Sequence, residues 1–242
     1  MVATVYIGWD PRQVDAFRVC ERSLKSHASI ELNTQRLALE DLRAAGLYHR
    51  PTELREGYLW DCISEAPMST EFAIARFFVP FLARQNGFDE DWVLFCDCDF
   101  LWLEDIKMLL AEADSTKAIC CVKHEQAVDE RTKMDGQAQQ SYARKNWSSL
   151  MLINLKHPAN DALTPDLINR VPGRDLHRFC WLEDDQIGAL SPDWNWLEGS
   201  SPERSVPPRA VHFTRGGPWL RGWEHVAYAD LWLRYARGVE PK

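Results

Sequence analysis

The chain has 242 residues, a formal net charge of −8 and a pI near 5.4. This length is enough for one large domain with its own core, and the acidic balance argues against a nucleic-acid-binding protein. Hydrophobic residues make up 45% of the chain and charged residues 26%, which is ordinary for a soluble globular protein. We therefore expect a single globular domain over residues 1–242, without nucleic acid as a partner.

Cysteine usage and the first residues of the chain bear on its compartment. The seven cysteines are odd in number and lack the spacing of a disulfide framework or a structural zinc site, so we interpret them as reduced thiols. The chain opens with a strand-like segment, Val2–Ile7, without the basic and apolar regions of a secretory signal or the length of a membrane anchor. These features favour a cytoplasmic protein without a transmembrane segment, and they leave peripheral contact with a membrane open.

Strands and helices alternate along the first half of the chain. The opening strand, Val2–Ile7, is rich in β-branched residues and ends at the turn Gly8-Trp9-Asp10. A long apolar segment, 68–85, begins with a capping signal and predicts a buried helix that carries one arginine, Arg76. The other predicted elements are helices over 14–26, 39–45 and 106–113 and strands over 30–36, 92–96 and 118–122. Such alternation predicts an open, mostly parallel sheet that binds ligands at the carboxyl ends of its strands.

The second half of the chain is less regular. Residues 125–146 are polar and have no apolar period, which predicts either a mobile loop over the site or a plain surface excursion. The predicted elements that follow are a buried strand over 149–155, a short helix over 165–170 and a helix over 180–190. A proline-rich link over 200–208 precedes Val211-His212-Phe213-Thr214, and we find no internal repeat and no boundary of a second domain.

Asp97 and Asp99 are the most informative residues of the sequence. They follow the continuous apolar run Trp92–Cys96, which predicts a buried strand. Because buried unpaired charges are costly, two aspartates at the end of this strand should face a cation or a ligand. Side chains at alternate positions of a strand share a face, so both carboxylates can reach one ion. Oxygen ligands favour a hard divalent ion such as Mg²⁺ or Mn²⁺, and two solvated aspartates at a strand end are the alternative.

The order of the motifs along the chain is more specific than any one of them. In chain order they are the Gly8-Trp9-Asp10 turn, Arg76 on an apolar helix, Asp97-Cys98-Asp99, the strand after Trp147-Ser148-Ser149, Asp184-Asp185-Gln186, and the segment from His212 to Trp219. Over nearly the whole chain this series resembles the glycogenin-like and bacterial galactosyltransferase-like family of nucleotide-sugar glycosyltransferases. The resemblance implies the A-type glycosyltransferase fold, which is an α/β fold with a Rossmann-like, mostly parallel central sheet flanked by helices. It also implies transfer of a sugar from a UDP-linked donor to a saccharide or glycoconjugate acceptor, with retention of anomeric configuration.

The same resemblance assigns candidate site residues. It implies that Asp97, Asp99 and His212 hold Mn²⁺, or Mg²⁺, against the diphosphate of the donor. It matches Asp185 and Gln186, with Asp184 beside them, to the residues next to the anomeric carbon. The residues that it implies around the donor nucleotide are Gly8, Trp9, Asp10, Arg76, Asp97, Cys98, Arg215, Gly216 and Gly217.

Two motifs depart from the family pattern. The family's late motif has a lysine before its Pro-Trp pair, whereas this chain has Pro218-Trp219 without that lysine. Arg215 is our candidate for the lost positive charge, and Gly216-Gly217 would let the backbone approach a diphosphate closely. The family's Asn-Ser-Gly is Trp147-Ser148-Ser149 here, so the sugar specificity does not carry over.

Several candidates have a structural alternative. Arg76 would need a diphosphate or Asp97 as its partner, or it belongs to a structural ion pair. His212 alone is also compatible with a packed histidine at a strand end. Trp9 can stack on a base or pack against the sheet, and Asp10 can bond the base or ribose. Residues 183–186 can cap a helix, or Glu183 or Asp184 can act as the general base of an inverting reaction.

Two other functions share parts of this pattern. A sugar-nucleotide nucleotidyltransferase also uses metal-bound aspartates on an α/β sheet, but it opens with a glycine-rich loop, which Gly8-Trp9-Asp10-Pro11-Arg12 is not. A non-catalytic sugar-binding domain of the same fold would not need Asp97, Asp99 and His212 together. The sequence therefore favours the glycosyltransferase.

Overall fold

The computed structural model describes residues 2–88, 90–124 and 144–239. The strands in these ranges are β1 (Val2–Gly8), β2 (Glu31–Leu37), β3 (Thr52–Arg55), β4 (Tyr58–Asp61), β5 (Ala66–Pro67), β6 (Trp92–Cys96), β7 (Phe100–Trp102), β8 (Ile119–Cys121), β9 (Leu150–Asn154), β10 (Ile187–Ala189), β11 (Trp196–Leu197) and β12 (Ala210–His212). The α-helices are α1 (Val14–His27), α2 (Leu39–Ala44), α3 (Phe72–Ala75), α4 (Val79–Gln85), α5 (Ile106–Leu110), α6 (Pro165–Arg170), α7 (Gly173–His177) and α8 (Ala229–Ala236).

A six-stranded sheet in the order β10-β8-β9-β6-β1-β2 forms the centre of the fold. β1 pairs in parallel with β2 and β6, and β10 pairs in parallel with β8. β9 is antiparallel to both of its neighbours, β6 and β8. The carboxyl ends of the other five strands therefore meet at one edge, which we call the carboxyl edge. This arrangement confirms the predicted mostly parallel α/β sheet.

Burial of both sheet faces explains why the sequences of these strands are continuous apolar runs. In β6 the residues from Val93 to Cys96 are all buried, and all five residues of β9 are buried as well. α1 covers part of the sheet with Cys20 and Leu24, and its Val19 packs with residues of β7 and α8. The apolar stripe of α1 is thus buried in the core, as its amphipathic pattern predicts.

The predicted helix over 68–85 is broken into three parts. α3 ends at Ala75, a 3₁₀ turn spans Arg76–Phe78, and α4 begins at Val79. Pro80 has no N–H to donate to the carbonyl of Arg76, and the N–H of Val79 bonds that carbonyl instead. The break places Arg76 in the turn between the two helices.

The predicted helix over 180–190 is wrong. The chain forms a 3₁₀ turn over Asp184–Gln186 and then β10, which pairs with β8 in the register Ile187↔Ile119. Gly188 permits this pairing, because a Cβ atom on it would lie 2.6 Å from the Sγ atom of the buried Cys120. Pairing with a buried neighbour strand overrides the local helical pattern.

Two small sheets complete the fold. β7, β12 and β11 form one of them, in which β12 runs antiparallel to β7 and pairs His212 with Phe100. β3, β4 and β5 form the other, which the sequence reasoning did not predict. The described part of the chain contains no helix that is both long and apolar enough to cross a membrane.

Candidate metal and nucleotide site

Asp97, Asp99 and His212 lie together at the carboxyl edge of the sheet. β6 ends at Cys96 and β7 begins at Phe100, so the two aspartates lie in the link between these strands. The pairing of β12 with β7 brings His212 beside Asp99, and the N–H of Phe213 donates to the carbonyl of Asp99 at 3.0 Å. The rings of His212 and Phe100 stack with their centroids 4.5 Å apart.

The side chains of this cluster fit a divalent metal ion. One ligand atom from each of Asp97, Asp99 and His212 lies within 4.8 Å of the other two. The Nε2 atom of His212 is 3.2 Å from Oδ1 of Asp99, and Nδ1 is 2.8 Å from Oδ1 of Asn195. Two carboxylates and one imidazole, fixed by a further hydrogen bond, match the preferences of Mn²⁺ or Mg²⁺. The residue types and their spacing therefore agree with the ion expected from the sequence.

Arg76 connects this cluster to the core. Its Nη1 atom is 2.8 Å from Oδ1 of Asp97 and donates to the carbonyl of Ser148 at 2.9 Å. The guanidinium also lies over the rings of Phe72 and Phe95, and its side chain is only 6% exposed. Within the described residues its Nε atom has no hydrogen-bond partner. The arginine is thus paired with Asp97 while one of its donors stays open.

An open pocket of about 790 Å³, a volume that includes the solvent at its mouth, lies over the cluster. Its charged lining residues are Asp97 and Asp99 with Arg12, Arg76 and Arg215, and His212 lies among them. Three arginines beside a metal-ligating cluster suit a polyanion such as a diphosphate. Further lining residues include Gln13, Ser69, Thr70, Thr214, Gly216 and Trp219.

Asp10 holds Arg12 at this pocket and does not line the pocket itself. The fully buried carboxylate of Asp10 accepts from the backbone N–H, Nε and Nη2 of Arg12 and from the backbone N–H of Glu71. Burial alone would raise the pKa of Asp10, but the hydrogen bonds from Arg12 outweigh it and the pKa lies below its usual value. In this structure the carboxylate oxygens of Asp10 are engaged by Arg12 and Glu71, and a contact of Asp10 with a base or ribose stays a prediction.

The turn residues before Asp10 are also occupied by packing. Trp9 lies edge-on to Phe17 with a centroid distance of 5.0 Å, and the guanidinium of Arg36 lies over its other side. A Cβ atom on Gly8 would lie 2.6 Å from the ring of Phe72. Neither residue is part of the described pocket lining, so the packing alternative for Trp9 describes the structure.

Cys98, Gly216 and Gly217 surround the cluster in different ways. Cys98 is buried and its Sγ donates to Oε1 of Gln13 at 3.0 Å, which places it behind the pocket wall. Gly216 lines the pocket with a φ of 124°, a value that favours glycine. A Cβ atom on Gly217 would lie 2.2 Å from the ring of Trp219, so this glycine serves packing.

The structure does not bring Asp184, Asp185 and Gln186 to this pocket. The carbonyl of Gln186 accepts from the N–H of Ala118, just before β8, and none of the three residues belongs to the described pocket lining. Glu183 and Gln186 form a reciprocal capping box, and Asp184 pairs with Arg144 at the surface. The capping box closes a 3₁₀ turn here, and a role of Asp184, Asp185 and Gln186 beside the anomeric carbon stays a prediction. The three residues form this turn directly before β10.

Sequence reasoning missed several residues that the structure brings to the cluster. Gln13 lines the pocket, and Ser149 and Asn195 support His212 from behind. His124 follows β8 at the same edge, and burial together with the nearby His212 lowers the pKa of His124 to about 4. Asn195 could have been noticed in the sequence, because it is a single amide residue between two tryptophans, Trp194 and Trp196. The others have no pattern of their own in the sequence.

The chain has a sequence relative among known proteins. No family model matches it. It is 42% identical over 233 residues to Protein CDI of Arabidopsis thaliana, and the match covers 95% of this chain and 84% of that protein.

Its structure is similar to solved glycosyltransferases. The apo structure of the bifunctional WbbM matches over 97% of this chain with a TM-score of 0.63 and 16% identity. Apo GlyE of Streptococcus pneumoniae TIGR4 matches over 98% with a TM-score of 0.59 and 19% identity. The galactosyltransferase LgtC in complex with donor and acceptor sugar analogues matches over 99% with a TM-score of 0.57 and 14% identity.

This chain spans nearly all of the LgtC chain but about half of WbbM and 60% of the GlyE chain. At sequence identities this low, the similarity shows a shared fold and nothing more. The chain therefore has the A-type glycosyltransferase fold, and by its identity over most of its length it belongs to the family of Protein CDI of Arabidopsis thaliana.

Proposed function

We propose that this protein is a metal-dependent glycosyltransferase that moves a sugar from a nucleotide-sugar donor, UDP-linked, to a saccharide or glycoconjugate acceptor. The observation that carries the proposal is the cluster of Asp97, Asp99 and His212 beside Arg12, Arg76 and Arg215 in one pocket. The pocket lies at the carboxyl edge of the central sheet, where open α/β sheets bind their ligands. Solved structures with this fold include LgtC with donor and acceptor sugar analogues, which supports the same class of substrate.

Asp97, Asp99 and His212 would hold the metal ion, with Mn²⁺ as our first choice and Mg²⁺ as the alternative. The bound ion would act as a Lewis acid toward the diphosphate and offset the charge that grows on it as the sugar departs. Two aspartates also balance the charge of a divalent ion, so that a loaded cluster adds no net charge to the core.

The three arginines would stabilise the leaving nucleoside diphosphate directly. Each is held before any ligand arrives, since Asp10 and the carbonyl of Ser69 hold Arg12, Asp97 and Ser148 hold Arg76, and the carbonyl of Gly199 accepts from Arg215 at 3.1 Å. Donors placed in advance need little reorganisation during the reaction, so more of their interaction energy favours the transition state. Arg215 fills the role that the missing lysine has in the resembled family.

The lining also supports retention of anomeric configuration. An inverting transfer needs a general base near the acceptor hydroxyl. In the described lining the carboxylates are Asp97 and Asp99, and both belong to the metal cluster. A front-face displacement in which the leaving diphosphate assists the acceptor needs no such base, so we propose retention.

Release of UDP from a panel of UDP-sugars tests this function. We expect slow hydrolysis of one donor that requires Mn²⁺, stops with a chelator, and is lost in Asp99→Asn. NMR of the anomeric proton of the product then tests retention. Release of pyrophosphate from UTP and a sugar phosphate would instead identify a nucleotidyltransferase. Binding of UDP-sugars without any turnover, with or without candidate acceptors, would identify a non-catalytic sugar-binding protein.

A further inference from the structure

We infer that Asn195 is a positioning residue that fixes the tautomer and orientation of His212 for metal binding. It acts through a chain of hydrogen bonds from His212 to Asn195, Ser149 and Asn146, which we call the histidine relay. This inference rests on the proposed metal site. Neither Asn195 nor Ser149 belongs to the pocket lining, so their role is indirect.

The relay is short and almost completely shielded from water. His212 Nδ1 lies 2.8 Å from Oδ1 of Asn195, and Nδ2 of Asn195 lies 2.9 Å from Oγ of Ser149. The hydroxyl of Ser149 reaches the backbone carbonyl of Asn146 at 2.6 Å. Asn195 is 0% exposed, Ser149 3% and His212 2%. Buried bonds of this length hold their members in one arrangement.

The last acceptor sets the direction of every bond in the relay. A backbone carbonyl can only accept, so the hydroxyl of Ser149 donates to Asn146 and accepts from the amide nitrogen of Asn195. The amide oxygen of Asn195 therefore faces His212, and it can only accept as well. It follows that Nδ1 of His212 carries a proton and donates it to Asn195. Of the two tautomers with a single ring proton, the relay thus selects the one whose Nε2 is unprotonated.

This tautomer is the one that a metal ligand needs. Nε2 faces Oδ1 of Asp99 at 3.2 Å. A carboxylate oxygen and an unprotonated ring nitrogen are both acceptors, so a cation between them would convert a repulsive contact into two attractive ones. The relay thus prepares Nε2 for a cation and disfavours the tautomer that would donate to Asp99 and close the site.

The turn at the end of the relay also holds the other side of the cluster. The carbonyl of Ser149 accepts from the N–H of Asp97 at 2.9 Å, and the carbonyl of Ser148 accepts from Arg76. Main-chain bonds from the 3₁₀ turn Trp147–Ser149 therefore position Asp97, while side-chain bonds from it position His212. The two halves of the metal site, which come from β6 and β12, share this one support.

Direct Mn²⁺ binding in the presence of UDP, followed by electron paramagnetic resonance, separates the relay from general stability. Asn195→Leu removes the acceptor at nearly constant volume, and we expect Mn²⁺ affinity to fall by about 10-fold to 100-fold, the usual scale for losing a group that orients a metal ligand. Asn195→Asp keeps an oxygen opposite Nδ1, and Ser149 can turn to donate to its second oxygen. We expect this variant to bind Mn²⁺ within about threefold of the parent. Ser149→Ala should give an intermediate loss.

Asn169→Leu is the matched control. Asn169 is also a buried amide with three hydrogen bonds, which join it to Leu47, His49 and Pro165 away from the pocket. It should lose stability but keep Mn²⁺ affinity. Nitrogen-15 NMR of the His212 ring gives a readout that does not depend on metal, since we expect protonated Nδ1 in the parent and a mixture of tautomers in Asn195→Leu.

The outcomes distinguish failure of the relay from failure of the proposed function. If the parent binds no Mn²⁺ with UDP, the metal site itself is wrong. If the parent binds Mn²⁺ and folded Asn195→Leu binds it equally well, Asn195 does not position His212. A parent with protonated Nε2 in the nitrogen-15 spectrum would overturn the direction of the relay.

Discussion

At the scale of single residues, the site combines charges that would be unstable apart. Asp97 is paired with Arg76, and its carboxylate lies close to that of Asp99, which faces Nε2 of His212. Closely spaced carboxylates repel each other, and a divalent cation is the simplest group that removes this repulsion. Binding of a divalent cation would therefore lower the electrostatic energy of the site.

Asp99→Asn tests the contribution of the carboxylate charge to cation binding. The substitution keeps the size of the side chain but removes one of the two negative charges, so we expect Mn²⁺-dependent affinity for UDP to fall by about 100-fold or more. Calorimetry with Mn²⁺ and UDP measures the loss. Asp114→Asn, at an exposed turn, should bind like the parent. Parent-like binding by Asp99→Asn would remove Asp99 from the metal site.

The same scale shows what the sequence can reveal about a site. Asp97 and Asp99 were predicted because charges at a strand end in apolar surroundings are unusual, and His212 was predicted from the family resemblance. The structure brings the three together. The hydrogen bonds of Asp10 to Arg12 and Glu71 could not be predicted, because nothing in the sequence shows that these residues meet. Gln13 and Ser149 were missed because their roles come from contacts between distant segments.

At the scale of elements, a buried ion pair ties the small sheet of β3, β4 and β5 to the rest of the fold. Arg50 donates from Nε and Nη2 to Asp61, at the end of β4, and from Nη1 to the carbonyls of Ile168 and Val171. Asp61 also accepts from the N–H and hydroxyl of Ser64. Both side chains of the pair are at most 1% exposed. Removing one partner would leave a buried charge without compensation.

Asp61→Asn should therefore destabilise the protein by about 3–5 kcal/mol at pH 7, measured by urea unfolding. Burial raises the pKa of Asp61, but the bonds from Arg50 and Ser64 outweigh it and leave the pKa lowered. A lowered pKa stabilises the fold above the unfolded-state value of about 3.9, and this contribution is lost as the pH falls through the folded-state pKa. The difference between parent and variant should thus shrink below about pH 4.

Asp166→Asn is the control for this pair. Asp166 and Arg170 form an exposed ion pair on α6, with side chains 70% and 72% exposed. Such a pair contributes less than about 1 kcal/mol, so the variant should unfold like the parent at every pH. An equal effect of the two substitutions would show that Asp61 does not act through burial.

β10 supplies a second prediction at this scale. Gly188→Ala places a Cβ atom 2.6 Å from Sγ of Cys120 and 3.0 Å from Cγ of Lys117, and we expect a loss of about 1–3 kcal/mol in the free energy of unfolding. Cys120→Ala makes room for the new methyl group. The double variant should therefore be more stable than the sum of the two single changes predicts, and simple additivity would contradict the close approach of β10 to β8.

The elements also differ in how far their sequence determines them. The strands of the central sheet could be predicted because both faces are buried and the apolar runs are continuous. The segment that forms β10 could not, since its three residues are held by β8 and not by their own pattern. The helix over 68–85 was predicted without its break, although Pro80 marks the place where helical bonding stops.

At the scale of the whole molecule, the pocket contrasts with the rest of the protein. The chain carries a net charge of −8, yet three arginines face the pocket. A positive recess in an acidic protein directs an anionic ligand to one place, because the remaining surface repels it on average. Metal and nucleotide should bind together, since the nucleotide supplies charge to the metal and the metal completes the site for the nucleotide.

Thermal unfolding measures this joint binding. With both ligands at about 100 times their dissociation constants, Mn²⁺ and UDP should add about 2.7 kcal/mol of stability and raise the Tm by roughly 5–10 °C. Either ligand alone should shift the Tm by a few degrees at most, and Asp99→Asn should lose the joint effect. An equal shift by UDP in the presence of a chelator would show that nucleotide binding does not involve the metal.

The reversed direction of β9 has a consequence for how this family can diversify. Because β8 runs toward the carboxyl edge and β9 runs away from it, the connection between them leaves and re-enters the sheet beside the pocket. Its length and composition can change during evolution without shifting the register of either strand, and lengthening a connection costs little closure entropy. The two strands can therefore keep their pairing, and the pocket its support from both of them, whatever connection joins them.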